Sequence, residues 1–450
     1  MVEMSSPDDS SKAKKDSSRL NGFRFDNIVP KRVKDTRENA AKVLRREFSD
    51  LVVYDKTYPE GGNINEWIKS LPSLRQLHVP PLRIPISRRL QTLAVAWHTG
   101  CFLYLLTVTM FLLANPLFWW FMAPYLVYHL LDRTASNGGV TRRYSNMFRS
   151  LKFWKHFCDY FPLKVHKVVD LQPTFTRPEN GTEARDIKQY TLRLWPSTYV
   201  LRFNLKKVND SAPVATGPRY IFGYHPHGVA ALGAFGAMAT EGSGWSKKFP
   251  GIPVCLCTLI NQFQIPLYKD YLLALGCTSV GRNNVLKVLE NNYSVCIVIG
   301  GAQESLLSKV GSTKLVINKR KGFVKLALEA GNVNLVPIYG FGETDCFRIL
   351  ESSKYSMLHK FQQWVKRHYG FTIPFFFARG VFNYDFGFLP FRNPIDVVVG
   401  EPIYVGPRRA KPTREEVDHY HSLYMKGLKK VFDDHKEKFG YGDKELEIAE

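Results

Sequence analysis

The hydrophobic and polar positions divide the chain into stretches of different character. Residues 1–36 are rich in Ser, Lys and Asp, which predicts a disordered polar tail. From Leu90 to Leu131 no Asp, Glu, Lys or Arg interrupts the sequence. After about residue 201, short apolar runs alternate with amphipathic stretches. The pattern therefore predicts a hydrophobic segment followed by a globular domain.

The uncharged stretch is long enough for two membrane spans, since one span needs about 20 apolar residues. The pair Asn115-Pro116 lies near its middle and can break a helix. We therefore expect a transmembrane helical hairpin over residues 88–133; the alternative is a buried helical hairpin in a soluble core. Basic residues next to a membrane span favour the cytosolic side. Because they flank both ends of the stretch, both termini and the globular domain are expected in the cytosol. Basic residues flank both ends of the stretch: Arg83, Arg88, Arg89, Arg133, Arg142 and Arg143.

Two segments beside the hydrophobic stretch mix apolar and basic residues. Residues 37–87 are expected to be an amphipathic region, because TRENAAKVLRREFSDLVVY places apolar residues near helical spacing. This region could lie on a membrane surface or dock on the protein. Residues 134–218 are expected to be an interfacial and loop-rich linker, because LKFWKHFCDYFP combines Lys with Phe, Trp and Tyr.

The remaining sequence alternates strand-like and helix-like runs. Apolar runs such as RYIFGY, SVCIVIGG and NLVPIYGFG are separated by helical stretches such as NNVLKVLENN and GFVKLALEAG. This alternation predicts an α/β domain over residues 219–440, with a mainly parallel sheet flanked by helices. Its last helix, from about Thr413 to Phe439, carries mixed charge and is expected to be largely exposed. Residues 441–450 are expected to be a tail.

Composition narrows the classes of function. The chain has 450 residues, of which 45% are hydrophobic, so it is neither mostly disordered nor a short disulfide scaffold. Its 7 cysteines lie mostly in apolar runs and are expected to be reduced and buried. Their spacing does not predict a zinc site. The net charge of +22 calls for an anionic partner, and leaves open nucleic acid, an anionic membrane and a polyphosphorylated substrate.

The sharpest chemical feature is His225-Pro226-His227-Gly228, which directly follows the predicted strand RYIFGY. Active-site residues in open α/β sheets lie where strands end. An imidazole there can act as a general base close to a substrate. The alternative is that both histidines cap a buried turn.

A second candidate group lies in IGGAQES, after the predicted strand SVCIVI. The Glu304 carboxylate could orient an imidazole, as the acid of a catalytic triad does. Gly300 and Gly301 permit a tight turn whose N–H groups could bind an oxyanion. The alternative for Glu304 is a solvated loop residue.

A basic run, Lys319-Arg320-Lys321, precedes the helical stretch GFVKLALEAG. Phosphate groups favour a helix N-terminus with basic neighbours, so this run is a candidate phosphate site. A solvated charged surface is the alternative.

The motifs IFGYHPHG, GGAQESL, NKRKGFVKLAL, LVPIYGFGE and VVVGEPI, in this order behind a hydrophobic stretch, resemble the type 2 diacylglycerol acyltransferase family, including its monoacylglycerol and wax-alcohol acyltransferase relatives. The resemblance implies transfer of a fatty acyl group from acyl-CoA to diacylglycerol or another neutral-lipid alcohol. It implies action at the endoplasmic reticulum membrane and the lipid droplet surface. Acyl-CoA would be a substrate, with no cofactor and no metal. The family's HPHG motif falls on His225 to Gly228, its YFP motif on Tyr160 to Pro162, and its acidic loop on Glu304.

These features combine into one mechanism. His227, with His225 as the alternative, takes the proton of the acceptor hydroxyl, and Glu304 orients the imidazole. Direct transfer is expected, because the chain contains no G-x-S-x-G nucleophile motif. The residues expected to bind substrate are Pro226, Gly228, Gly300, Gly301, Lys319, Arg320 and Lys321.

Two other functions remain open. One is a monoacylglycerol or wax-alcohol acyltransferase of the same family, and the other is a non-catalytic, membrane-anchored lipid-binding or tethering protein. The expected partners are acyl-CoA, the neutral-lipid acceptor and membrane phospholipid rather than nucleic acid. A homo-oligomer is left open.

Overall fold

The computed structural model describes residues 84–176, 213–352, 375–384 and 387–449, the backbone of strands within 51–63 and 186–205, and residues 360, 364, 365 and 368. The predicted tail over residues 1–36 and most of the predicted amphipathic region over residues 37–87 lie outside these residues. The strands are β1 (Leu51–Asp55), β2 (Tyr58–Asn63), β3 (Lys164–Lys167), β4 (Phe175–Thr176), β5 (Asp186–Leu194), β6 (Ser197–Leu205), β7 (Val214–Ala215), β8 (Arg219–His225), β9 (Val254–Thr258), β10 (Cys277–Ser279), β11 (Ser294–Val298), β12 (Lys314–Leu315), β13 (Val333–Phe341), β14 (Arg348–Ser352), β15 (Phe375–Phe377), β16 (Asp396–Val399), β17 (Ile403–Tyr404) and β18 (Glu447–Ile448).

The helices lie before, between and after these strands. They are α1 (Ile86–Ala114), α2 (Trp119–Leu131), α3 (Val140–Arg143), α4 (Asn146–Arg149), α5 (Lys152–Tyr160), α6 (Leu232–Ala234), α7 (Trp245–Lys248), α8 (Tyr268–Ala274), α9 (Arg282–Glu290), α10 (Gly301–Ser305), α11 (Gly322–Ala330) and α12 (Arg414–Asp433). Short 3₁₀ turns cover Pro116–Phe118, Thr134–Ser136, Ile260–Gln264 and Glu343–Cys346, and a π-helical turn covers Phe235–Ala239.

The predicted α/β fold is confirmed. The central sheet has the strand order β10-β9-β11-β8-β13-β16-β3, with β17 also paired to β13. Strands β8, β9, β10, β11 and β13 are parallel, and β16 pairs with β13 in the antiparallel direction. The parallel strands are nearly continuous apolar runs, as expected where helices cover both faces of a sheet. The loops that follow β8, β11 and β13 therefore meet at one edge, which we call the carboxyl edge.

The uncharged stretch forms two helices of unequal length. The predicted break is present: α1 ends at Ala114, and the Asn115 side chain accepts a hydrogen bond from the Leu117 N–H at 3.1 Å. Among the described residues, α1 is the one helix long and apolar enough to cross a membrane, by length and composition. Helix α2 has 13 residues, which rise about 20 Å, less than the roughly 30 Å of a bilayer core.

Helix α1 packs against α5 through its first half. Ala94, Val95 and Cys101 are buried, and the His98 ring stacks on Phe235 with 3.6 Å between ring centroids. Its second half and α2 leave large apolar side chains uncovered, and Trp120 is 85% exposed. The hydrophobic stretch is therefore partly core and partly exposed.

The segment expected to be interfacial is instead built into the core. Trp154, Phe157, Tyr160 and Phe161 are buried, so the expectation of an aromatic membrane surface at LKFWKHFCDYFP is wrong. The reason is that α5 is amphipathic: its lysines lie on the outer face while its aromatic face packs on α1 and the Phe235 turn. Strand β3, which follows it, pairs with β16 in the central sheet. Further along the predicted loop-rich linker, β5 and β6 pair as an antiparallel hairpin.

The C-terminal part of the chain also differs from expectation. Helix α12 is amphipathic rather than largely exposed, and Val417, Tyr424, Leu428 and Phe432 lie on its buried face. The described part of the expected tail, residues 441–449, is not free, because Tyr441 is buried and β18 pairs with β12. The buried face of α12 was not predicted because charged residues of both signs lie between its apolar residues in the sequence.

Candidate active site

The HPHG turn lies at the carboxyl edge, directly after β8. Its first peptide bond, His225-Pro226, is cis. Pro226 and Gly228 are buried. Gly228 has a φ of +61°, and a Cβ there would lie 2.8 Å from Glu343 Cγ, so a larger residue would both strain the backbone and collide with that side chain.

His225 is the inward-facing histidine of the turn. Its side chain is fully buried, and its Nε2 lies 3.1 Å from the Tyr424 hydroxyl on α12. The same hydroxyl donates to the Gly223 carbonyl at 3.1 Å, which joins α12 to β8. Burial lowers the pKa of His225 to about 3, so it stays neutral near pH 7. These contacts give His225 a packing role.

His227 is the accessible histidine of the pair. It is half-buried, and its Nδ1 lies 3.0 Å from the Gly228 carbonyl oxygen. Because a carbonyl oxygen can only accept, Nδ1 carries the proton, and Nε2 of the neutral ring keeps its lone pair. Burial lowers the pKa of His227, which favours this neutral form. The ring is thus in the state that a general base requires.

Glu304 supports the turn through the main chain. Its carboxylate is buried; Oε1 accepts the His227 backbone N–H at 2.5 Å, and Oε2 accepts the Val316 N–H at 2.7 Å. The expected contact between Glu304 and an imidazole is not present, because both oxygens face backbone donors. Burial raises the pKa of Glu304 to about 7, against the opposing effect of these N–H groups and the Arg320 charge. Glu304 therefore positions His227 rather than orienting its ring.

Two glycines with positive φ precede Glu304, and the first of them leaves room for its carboxylate. Gly300 has a φ of +101°, and a Cβ there would lie 2.3 Å from Glu304 Oε2. Gly301 has a φ of +60° and begins α10. The tight turn expected from the sequence is present, and it lies beside the HPHG loop because β11 pairs with β8.

A second buried carboxylate, Glu343, was not among the residues expected at the site. Its Oε1 accepts the Leu232 N–H at 2.7 Å, and its Oε2 accepts the Gly233 N–H at 2.8 Å and the Tyr224 hydroxyl at 2.8 Å. Burial raises the pKa of Glu343 to about 7. It follows β13, the parallel neighbour of β8, so its position at a strand end was the available signal.

The basic run divides into two parts. Lys319 and Arg320 are exposed, whereas the Lys321 Nζ lies 2.6 Å from Asp418 Oδ1 on α12. The run precedes α11, at the carboxyl edge, and the Arg320 charge lowers the pKa of Glu304, which places it near the HPHG turn. Lys319 and Arg320 form no ion pair with another described residue, so their charges are available to a ligand.

In the Tyr160-Phe161-Pro162 segment, Tyr160 and Phe161 lie in the core and Pro162 is exposed. The Tyr160 hydroxyl donates to the Pro390 carbonyl at 2.6 Å, and the Arg392 guanidinium lies 4.0 Å from the centre of its ring. These contacts hold α5 against the chain after β15. In the part of the chain that the structure describes, no group of three His, Cys, Asp or Glu side chains could hold a metal ion.

Comparisons with known proteins agree on one family. The sequence profile of the family described as diacylglycerol acyltransferase matches residues 111–178 and 175–449. A diacylglycerol O-acyltransferase 1 of Eremothecium gossypii is 61% identical over 94% of this chain and 93% of its own length. The protein of that name in Saccharomyces cerevisiae is 53% identical over 82% of this chain and 88% of its own. A 2-acylglycerol O-acyltransferase 1 of Bos taurus is 36% identical over 82% of this chain and 98% of its own. No solved structure matches the chain.

Proposed function

The chain belongs to the diacylglycerol acyltransferase family, of the type 2 class that its motifs resemble, and from this premise we propose that it transfers a fatty acyl group from acyl-CoA to the free hydroxyl of diacylglycerol, forming triacylglycerol. The observation that carries the proposal is the state of His227. It is an accessible neutral imidazole at the carboxyl edge, with its Nδ1 proton held by the Gly228 carbonyl.

The proposed reaction is direct acyl transfer. His227 Nε2 removes the hydroxyl proton of diacylglycerol as that oxygen attacks the thioester carbonyl carbon. A C–O ester bond forms, the C–S bond breaks, and the proton passes from His227 to the departing CoA sulfur. Atoms and charge balance without a cofactor or a covalent enzyme intermediate.

The two glutamates hold this base in place. Glu304 binds the His227 N–H, and Glu343 binds the two N–H groups that follow the turn. The positive-φ backbone at Gly300 and Gly301 is proposed to offer N–H groups to the oxyanion that forms on the thioester carbonyl. Pro226 and Gly228 shape the turn against which substrate lies.

The basic run is proposed to bind the phosphates of CoA. Lys319 and Arg320 are exposed, and the Arg320 charge acts on Glu304, while Lys321 holds α12 through Asp418. Arginine and lysine at a helix N-terminus complement phosphate charge. We assign the ligand contact to Lys319 and Arg320 and a structural role to Lys321.

The chain is proposed to act on a membrane. Helix α1 has the length of a span, and the apolar side chains of α2 are largely exposed. With both basic flanks on the cytosolic side, α1 and α2 would enter and leave from the cytosol, at the endoplasmic reticulum and at the lipid droplet surface. Because the first half of α1 packs on the core and α2 has 13 residues, we propose that the exposed second half of α1 and α2 dip into the bilayer as a hairpin and return to the cytosolic side without crossing it.

Monoacylglycerol is the second candidate acceptor, because the Bos taurus relative is named for acylation of 2-acylglycerol. A non-catalytic lipid tether would leave the free Nε2 of His227 without a role. The test is to offer radiolabelled acyl-CoA with diacylglycerol, monoacylglycerol or a long-chain alcohol to membranes that contain the chain. We expect the fastest labelling with diacylglycerol. Faster labelling of monoacylglycerol would favour the second candidate, and lipid binding without any labelled product would favour the tether.

A further inference from the structure

We propose that the C-terminal segment of the chain is part of the catalytic architecture, and that Tyr441 is a positioning residue for His227. We call residues 441–449 the C-terminal strap. The inference rests on the proposed function, because it assigns to the strap an effect on the base of that reaction. It gives a role to a segment that the sequence predicted to be a free tail.

The C-terminal strap lies against the loop that follows Glu304. Strand β18 pairs with β12 in the parallel direction, and the Ala449 N–H donates to the Leu315 carbonyl at 2.7 Å. The residue after Leu315 is Val316, whose N–H binds Glu304 Oε2. The extended segment of β12 and Val316 therefore joins the C-terminal strap to the Glu304 carboxylate, which in turn binds the His227 N–H.

The same loop is bound to the C-terminal strap at two earlier points. The Lys444 Nζ donates to the Gly311 carbonyl at 2.7 Å, and the Thr313 hydroxyl donates to the Glu445 carbonyl at 2.5 Å. Gly311 lies near the middle of the loop, and Thr313 directly precedes β12. The strap therefore holds the loop after Glu304 along its second half and not only at its end.

Tyr441 joins the C-terminal strap to the turn that carries Glu343. Its ring is buried and packs edge-to-face on Phe341, the last residue of β13. Its hydroxyl accepts the Gly342 N–H and donates to Asp345 Oδ2, each at 3.2 Å. Burial raises the pKa of Tyr441, so the hydroxyl keeps the proton that it donates. The hydroxyl thus fixes the turn from which Glu343 binds the two N–H groups after the HPHG turn.

Asp345 connects the two glutamate segments to each other. Its Oδ1 accepts the Gly311 N–H at 2.6 Å, while its Oδ2 accepts the Tyr441 hydroxyl. Three segments therefore meet at one carboxylate: the loop after Glu304, the turn that carries Glu343, and the C-terminal strap. Loss of the Tyr441 hydroxyl would remove a hydrogen-bond partner from two of these segments at once.

These contacts fix position as well as fill space. A phenyl ring would fill the site of the Tyr441 ring, but the hydroxyl accepts one hydrogen bond and donates another at the same atom. Misplacement of a catalytic group by about 1 Å can cost about 10²-fold in rate. Because Glu304 and Glu343 both hold the HPHG turn, a shift of their segments should move His227 out of its reactive geometry.

The test removes only one hydroxyl group from the full chain. In Tyr441→Phe, we expect kcat for labelled triacylglycerol to fall roughly 5- to 50-fold, with the KM for acyl-CoA unchanged. Tyr404→Phe is the matched control, because the Tyr404 hydroxyl also makes a side-chain hydrogen bond, to Asn332 Oδ1 at 2.8 Å, but lies beside the amino end of β13. The control should keep the wild-type kcat.

A double variant separates positioning from general packing. In His227→Ala the base is already absent, so adding Tyr441→Phe should leave the residual rate unchanged. An equal loss in the wild-type and His227→Ala backgrounds would overturn the inference and leave the proposed function intact. A Tyr441→Phe protein with the wild-type kcat would also overturn it.

Two further results have defined meanings. Absence of labelled triacylglycerol with the wild-type chain would refute the proposed function, and the inference with it. If Tyr441→Phe fails to fold, Lys444→Met provides the same comparison, because it removes the contact with Gly311 and keeps the apolar part of the side chain. It should lower kcat in the wild-type background only, and an equal loss in both backgrounds would again overturn the inference.

Discussion

Two histidines two residues apart have opposite surroundings at the end of β8. His225 is buried against Tyr424, whereas His227 presents Nε2 at the carboxyl edge while the Gly228 carbonyl holds its Nδ1 proton. Extended geometry alone would point residues 225 and 227 to the same side, since side chains repeat every second residue. The two differ because β8 ends at His225 and the chain turns through Gly228, whose φ is +61°. One imidazole therefore packs the core while the other is free for chemistry.

Glu343 makes a specific prediction about pH and stability. Its pKa is raised to about 7 by burial, so between its ordinary value of about 4.5 and about 7 the native state holds a proton that the unfolded chain has lost. The free energy of unfolding should therefore fall as pH rises through this range, on the order of 1–3 kcal/mol for this group. In Glu343→Gln the fall should be smaller, as measured by thermal unfolding in detergent micelles.

The control for this measurement is Glu415→Gln, since Glu415 is exposed on α12. It should reproduce the wild-type pH dependence. A Glu343→Gln protein with an unchanged pH dependence would show that this buried carboxyl does not titrate in that range.

The basic run makes a prediction about acyl-CoA. Replacing both Lys319 and Arg320 by Ala should raise the KM for acyl-CoA roughly 2- to 30-fold with kcat little changed, because exposed ion pairs contribute about 0.2–1 kcal/mol each. The effect should shrink with an acyl-CoA analogue that lacks the 3′-phosphate. The double replacement Lys426→Ala and Lys429→Ala, at two exposed lysines of α12, is the charge-matched control, and an equal rise in KM there would contradict a specific phosphate contact.

At the residue scale, the sequence predicted where the site lies better than how its atoms meet. The proximity of His227, Glu304 and the Gly300 turn could be predicted, because polar residues and glycines follow neighbouring apolar strands. The contact of Glu304 with a backbone N–H could not be predicted, since it depends on how far α10 turns back toward β8. Glu343 was missed because nothing distinguishes a buried carboxylate from a solvated one in LVPIYGFGE.

At the element scale, the apolar periodicity of the sequence predicted where helices and strands lie. It did not predict whether each element is buried or exposed. The break at Asn115 was predicted from proline chemistry, and the parallel strands from their apolar runs. Helices α5 and α12 were assigned to the wrong environment, because lysines on one face of an amphipathic helix obscure the apolar face that the core covers. The shortness of α2 is set by Asn115-Pro116 on one side and Asp132 on the other.

Topology gives an element-scale prediction. The sequons Asn180-Gly181-Thr182, Asn209-Asp210-Ser211 and Asn292-Tyr293-Ser294 should carry no glycan if α1 and α2 enter and leave from the cytosolic side, because N-glycans are added in the lumen. The measurement is glycosidase treatment of the chain expressed in cells, followed by mass spectrometry of the three peptides. A glycosidase-sensitive mass at any of them would place the domain in the lumen.

At the scale of the whole molecule, the residues that give the net charge of +22 include two local basic groups. Arg88 and Arg89 lie at the start of the apolar helix, and Lys319 and Arg320 lie beside the carboxyl edge, so one basic group suits phospholipid and the other suits CoA. This arrangement suits an enzyme that takes one substrate from water and the other from a membrane.

The most direct test of the account is the turnover of purified His227→Ala. General-base assistance contributes about 10²- to 10⁴-fold, so labelled triacylglycerol should form at least about 10²-fold more slowly than with the wild-type chain, at an unchanged melting temperature. His225→Ala is the matched variant, and it should chiefly lower stability because it removes the Tyr424 contact. Near-normal turnover by His227→Ala, with turnover abolished in a folded His225→Ala, would contradict the assignment of His227 as the base.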